Sequence, residues 1–308
     1  MYICGCNCNF AQVIIIFAAC ETMAQKKDMA EKSNGEIHLD VGEMLRKKMP
    51  RHYKYVPRFV VNALARLICQ DELNEIARLH GAKRGVEFAD GVLDYLGVKV
   101  RVEGAENLPE PEAARRCVFV CNHPMGGLDG IAIISHIGRH YGGKIRFLVN
   151  DLLMAVTPLA GVFLPINKFG RQSRSAAQSI DEAYRSEVQM LTFPAGLCSR
   201  LMDNGKITDL AWQKSFVVKA SEYGRDVVPM CFDGENSRLF YRVARWRKRM
   251  NIGFNIEMLL LPREMMKCRG KEFVLRIGAP IACSEINASE PAAEVERIRR
   301  KCYGLRDK

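Results

Sequence analysis

The 308-residue sequence has no apolar run of the ~20 residues that a helix needs to cross a bilayer. The stretch NFAQVIIIFAAC at residues 9–20 falls short of that length. No Lys or Arg precedes it, as a secretory signal requires, although Cys20 after two alanines loosely resembles a lipoprotein cleavage site. The polar MAQKKDMAEKSNGE beginning at Met23 reads as an ordinary leader, so translation is expected to start there. Internal repeats and long low-complexity segments are also missing. A disulfide framework is not expected, because such frameworks belong to short secreted chains and the twelve cysteines here are scattered. Cys69, Cys117, Cys121, Cys231 and Cys283 lie in apolar contexts where a free thiol serves as a small core residue, which points to a reducing cytosol.

The composition, 48% hydrophobic and 26% charged, is that of a globular protein long enough to bury a sizeable core. A net charge of +11 favours an acidic partner: nucleic acid, an anionic membrane surface or an acidic carrier protein. Residues 1–50 read as a polar tail with an atypical start, and residues 51–97 as a helical segment. PRFVVNALARLI begins with a proline suited to a first helical position, and its apolar residues recur at helical spacing. Over residues 98–308, short β-branched runs such as CVFVC, IRFLV, VFLPI, VQMLTF, VVPMCF and EFVLRIG alternate with helical stretches. This alternation predicts an α/β fold with a mainly parallel or mixed sheet and flanking helices.

Three segments carry candidate chemistry. In VCNHPMGGLDG, His123 falls where a strand ends, the usual position of function in α/β sheets, and Asp129 falls where a helix opens. A helix cap and a surface histidine would explain the same residues without chemistry. In LTFPAGLCSR, a strand again runs into a Pro-Gly turn followed by Ser199 and Arg200, an arrangement suited to an anion or oxyanion. In PINKFGRQSR, Lys168, Arg171 and Arg174 follow a strand, as either a solvated face or a phosphate or carboxylate site.

Taken together, these segments resemble the glycerolipid acyltransferase superfamily, the lysophosphatidate-acyltransferase-like proteins. The resemblance rests on Asn122-His123 with Asp129, on GVFLPINKFGR, on Phe193-Pro194-Ala195-Gly196 and on Val228-Pro229-Met230, in the family's order. NHPxGGxDG and FPAGxxS are most similar to a bacterial branch of hemolysin-like acyltransferases and ornithine- and glycine-lipid O-acyltransferases. The spacing from His123 to Asp129 is one residue longer than the family's usual one. Ala195 stands where the family carries Glu, and Arg200 lies two positions late. These departures imply a changed acceptor pocket and an acceptor other than lysophosphatidate.

The resemblance implies that residues 98–308 transfer a fatty acyl chain to the hydroxyl of a lyso-lipid, either a lyso-amino-acid lipid (glycine or ornithine lipid) or a lysophospholipid. The donor would be a thioester, acyl-carrier protein or acyl-CoA, and no further cofactor or metal is expected. His123 would be the general base, suited to that work by the histidine reference pKa of ~6.5, with Asp129 orienting its ring. The turn at Gly196 is the candidate oxyanion donor. Asn122, Lys168, Arg171, Phe193, Pro194, Gly196, Ser199 and Arg200 would contact substrate. The expected location is peripheral, on the cytoplasmic face of the inner membrane.

In NSRLFYRVARWRKRMNIGF, Leu239, Val243, Trp246 and Met250 form a helical stripe beside Arg238, Arg242, Arg245 and Arg249. That is the composition of an interfacial helix, and equally of an Arg-rich helix packed by one face on the core. No nucleic-acid-binding module surrounds it. Two competing readings are a non-catalytic basic peripheral membrane protein and a metal-dependent hydrolase. His136 and His140 share a helix face, but the Glu of HExxH is missing. Cys121, near His123, is a weak alternative nucleophile.

Overall fold

All five residues of Cys117–Cys121, CVFVC, are buried, as a strand covered on both faces requires. In the computed structural model this strand, β2, is the centre of a seven-stranded sheet. The structure describes residues 38–113, 115–166, 174–253 and 255–307. The remaining strands are β1 (Lys99–Glu103), β3 (Ile145–Asn150), β4 (Phe163–Ile166), β5 (Gln189–Thr192), β8 (Asp226–Phe232) and β9 (Glu272–Ile277). Their order is β1-β9-β8-β2-β5-β3-β4. From β8 to β4 every pairing is parallel, with Val120 opposite Thr192 on β5 and Pro229 on β8. β9 runs antiparallel to β8, and β1 pairs parallel with β9, Lys99 facing Glu272. The sheet is therefore mixed, with a parallel half running from β8 to β4. A separate two-stranded hairpin, β6 (Arg200–Leu201) and β7 (Ile207–Thr208), follows β5.

Helices cover both faces of the sheet. One core joins it to α3 (Gln70–His80), α4 (Gly85–Leu96) and α5 (Leu128–His140) through Ile76, Phe88, Val92, Ile133 and Ile137. The other joins it to α6 (Arg174–Arg185), α7 (Ser215–Glu222) and α10 (Pro291–Gly304) through Tyr184, Phe216, Val217, Val295 and Ile298. α5 and α4 approach closely at Gly138, where a Cβ would lie 2.6 Å from Val86 Cγ2. α8 (Arg238–Arg249) and the short α9 (Leu261–Met266) follow β8. One buried cation anchors the second core. Arg225 Nε donates to Tyr184 O (2.9 Å), Nη1 to Val188 O (2.8 Å), and Nη2 to Ala183 O (3.0 Å) and Ser186 O (2.7 Å). These bonds satisfy carbonyls that the end of α6 leaves open. Burial, with Arg116 nearby, pulls this guanidinium down to about 10.

The polar tail expected through residue 50 is structured at its end. α1 (Val41–Lys48) has Asp40 as its N-cap, accepting from Glu43 N, and buries Val41 and Leu45 against α2 (Arg58–Leu67). Its lysines and arginine face solvent, so its composition resembles a tail although two apolar positions one turn apart hold it. The expected start at Met23 and the apolar stretch at 9–20 lie outside the described residues.

Candidate active site

Because β2 and β5 are adjacent and parallel, the residues that leave their carboxyl ends meet at one edge of the sheet. His123 leaves β2, and Phe193 leaves β5. Their rings are stacked, with centroids 3.8 Å apart and planes 16° apart, and Phe147 tilts against Phe193 at 5.1 Å.

Asp129, in the first turn of α5, is fully buried, and its Oδ2 lies 3.0 Å from His123 Nδ1. The same oxygen accepts from Met125 N (2.9 Å) and Gly126 N (3.3 Å), while Oδ1 accepts from Gly130 N (2.9 Å). Burial alone would raise this carboxyl. His123 and the backbone N–H groups outweigh it and hold Asp129 below the ordinary carboxylate value. The helix N-terminus also favours an anion there. An ionised carboxylate only accepts, which places the ring proton on Nδ1 and leaves a lone pair on Nε2. Among the described residues nothing bonds to Nε2.

The lengthened His-to-Asp turn therefore keeps the pair in contact. The turn between them passes through Gly126, at φ 78°, where a Cβ would sit 2.8 Å from Leu261 Cδ2.

Other predicted contact residues are spent on the scaffold. Asn122 is fully buried, and its amide donates to Phe232 O (3.0 Å) and accepts from Phe232 N (2.7 Å). It continues the β2–β8 pairing rather than facing a ligand. Ser199 is buried, its Oγ donating to Asp209 Oδ1 (2.5 Å) and its N–H to His123 O (2.7 Å). Arg200 donates to Cys198 O (2.7 Å) and to Glu257 Oε1 (2.9 Å), and its guanidinium lies over Phe240. Fully buried Glu257 also accepts from Arg247 Nε (3.0 Å), so α8 is tied to this turn. Gly196, at φ 65°, directs its N–H to Phe193 O (2.8 Å), closing its own turn rather than presenting that donor to an oxyanion. Pro194 is buried and its carbonyl accepts from Gln213 N (3.0 Å). Lys168 and Arg171 lie outside the described residues.

The competing nucleophile and ligand pair are placed elsewhere. Cys121 is fully buried, its thiol pushed well up by burial, and it points at Asn122. His140 Nε2 lies 3.2 Å from Pro109 O, and burial lowers His136. Two buried carboxylates, Asp209 and Glu257, carried no sequence signal: the partners that tie them to the site, His123 N–H and Arg200, are 86 and 57 residues away in the chain.

α8 packs Phe240, Tyr241 and Ala244 inward. Its outer surface carries Arg238, Arg242, Arg245 and Arg249, together with Trp246 and Met250 at 52% and 58% exposure.

A strand-end histidine held by a buried aspartate, its second nitrogen without a hydrogen-bond partner among the described residues, is an arrangement suited to base-assisted acyl transfer. A family model described as "Acyltransferase" matches residues 43–308, and the chain belongs to that family of enzymes. Its activity is acyl transfer. A lyso-glycine lipid O-acyltransferase of Bacteroides thetaiotaomicron is 44% identical over 268 residues, covering 87% of this chain and 97% of the relative. A lyso-glycine lipid O-acyltransferase of Phocaeicola vulgatus is 43% identical over 282 residues, covering 91% of this chain and all of the relative. Among solved structures, the 1-acyl-sn-glycerophosphate acyltransferase of Thermotoga maritima is similar at 17% identity and a TM-score of 0.42. That match covers 96% of this chain and 95% of the solved one.

Proposed function

We propose that this acyltransferase moves a fatty acyl chain from a thioester, acyl-carrier protein or acyl-CoA, to the hydroxyl of a lyso-glycine lipid. The observation that carries this reading is the His123–Asp129 pair, with Nε2 left to face a substrate. His123 Nε2 takes the proton of the acceptor hydroxyl as that oxygen attacks the thioester carbonyl. Asp129 stabilises the imidazolium that forms. That attack forms the ester C–O bond and a tetrahedral intermediate; its collapse restores the carbonyl and breaks the C–S bond, and the imidazolium proton passes to the departing thiolate. No acyl-enzyme is needed. The acceptor is named from the two relatives, each called a lyso-glycine lipid O-acyltransferase.

The enzyme works as a peripheral protein on an anionic surface, the cytoplasmic face of the inner membrane. In support, α8 places exposed arginines beside Trp246 and Met250 while its other face is packed.

The test is lipid profiling by mass spectrometry in a host that lacks glycine lipids and is supplied with lyso-glycine lipid. Expression of the wild-type chain is expected to yield the di-acylated product. His123→Ala should lower that yield by about 100-fold or more while the protein stays folded. Acylation of lyso-phospholipids alone would overturn the acceptor, and full activity in His123→Ala would overturn the base.

A further inference from the structure

His123 is held by two buried carboxylates, and only one of them touches its ring. Asp209, on the loop after β7, is 1% exposed. Its Oδ1 accepts the main-chain N–H of His123 (3.2 Å) and the hydroxyl of Ser199 (2.5 Å). Its Oδ2 accepts the indole N–H of Trp212 (2.9 Å). The loop after β5 closes the arrangement from the other side, where Ser199 N–H donates to His123 O at 2.7 Å. Both main-chain polar groups of His123 are thus bonded to this unit. Asp209 is itself fixed by the last helix: its N–H donates to Tyr303 OH (3.0 Å), and Arg299 Nη2 donates to its carbonyl (3.0 Å).

Three donors converge on one side chain, and none of them can turn into an acceptor at the point of contact except the serine hydroxyl. A carboxylate only accepts, so it satisfies all three. An asparagine in its place would set an NH2 group against either the Trp212 indole N–H or the His123 N–H, whichever way its amide turned. Unpaired, an anion buried to this degree is costly, and here it is fully supplied with donors.

We infer that Asp209 is a positioning residue for acyl transfer, acting on His123 through its main chain and on the turn at Ser199. Asp129 sets the tautomer and plane of the ring, and Asp209 sets where the ring is attached. The inference rests on His123 being the base. A displacement of a reacting group by about 1 Å costs on the order of 100-fold in rate, so a main-chain anchor reaches the chemistry without touching substrate.

The experiment is steady-state kinetics of the purified full chain with lyso-glycine lipid and an acyl thioester, beside circular dichroism and thermal midpoints. Asp209→Asn is expected to lower kcat by about 10-fold or more with KM for both substrates within about twofold. Trp212→Phe removes the conflicting donor. In Asp209→Asn/Trp212→Phe the amide oxygen is able to face His123 N–H, so kcat should exceed that of Asp209→Asn by about threefold, a non-additive rescue. Wild-type kcat in Asp209→Asn, or a double variant that regains thermal midpoint but not kcat, would overturn the inference. If the Asp209 variants do not fold, Ser199→Ala is read instead. It keeps the carboxylate on His123 and Trp212 and should lower kcat about threefold at constant KM, and an unchanged kcat there overturns the inference. His123→Ala in the same assay separates the two readings. Activity in that variant removes the base itself, whereas an inactive His123→Ala beside a normal Asp209→Asn removes only the anchor.

Discussion

The imidazole of His123 and the ring of Phe193 lie face to face, 3.8 Å between centroids, so a residue just past β2 and one just past β5 fix each other's rotation. Phe193→Ala removes one wall of that stack and the contact with Phe147. The expected outcome is a kcat lower by about 10- to 100-fold, with His123 intact and able to swing. Steady-state kinetics measures it. An unchanged kcat would show that Asp129 alone fixes the ring.

Asp129→Asn takes away the charge paired with His123 Nδ1 and sets an amide against several donors. A fall in kcat on the order of 100-fold or more is expected, from loss of the correct tautomer and of imidazolium stabilisation. Stability carries a second signature. The folded-state carboxyl titrates below its ordinary value, so its contribution is fully present above the unfolded value of about 4 and disappears as pH falls through the folded one. Denaturant titrations should therefore show a constant gap between wild type and Asp129→Asn from neutral pH down to about 5, closing below about 4.

Arg225→Met tests the second core without approaching the site. Replacement removes the guanidinium from the carbonyls of Tyr184, Ser186 and Val188, and from Ala183 O, which keeps its bonds from Ser186. A loss of about 3 kcal/mol or more in denaturant unfolding is expected, with the kcat of the remaining folded protein close to wild type.

For α8, vesicle sedimentation is the measurement. Arg242→Ala/Arg245→Ala/Arg249→Ala should weaken binding to anionic vesicles by on the order of 100-fold, at about 1 kcal/mol per arginine. Trp246→Ala/Met250→Ala should weaken binding at high salt too, because apolar insertion is not screened. Equal binding to neutral and anionic vesicles by the wild type would remove the arginines from the interaction.

Much of the fold was legible because the strands are short, apolar and separated by amphipathic helices. All seven sheet strands coincide with runs such as CVFVC and IRFLV. The β6–β7 hairpin was not legible, since two-residue strands have no period to read. α1 hid behind its lysines. His123 and Asp129 stood out because a strand end and a helix start flank them. Asn122, Ser199 and Arg200 stand in the same two segments, but their side chains turn to Phe232, Asp209 and Glu257. Local sequence does not distinguish a polar group that meets a substrate from one that meets the backbone. Asp209 and Glu257 could not be singled out at all, because what makes them important is brought to them by distant parts of the chain.

The placement of β9 between β1 and β8 has a consequence for how the molecule is made. β1 is an edge strand whose one neighbour in the sheet is β9, and the pairing of Lys99 with Glu272 spans about 170 residues. At a synthesis rate of about 5–20 residues per second, β1 leaves the ribosome on the order of 10–35 s before its partner exists. β2 and β5 are both synthesised within that interval, so their pairing is available before that of β1. The nascent chain must meanwhile keep an unpaired strand from finding another edge. The charged residues of β1, Lys99, Arg101 and Glu103, are an inbuilt guard during that wait.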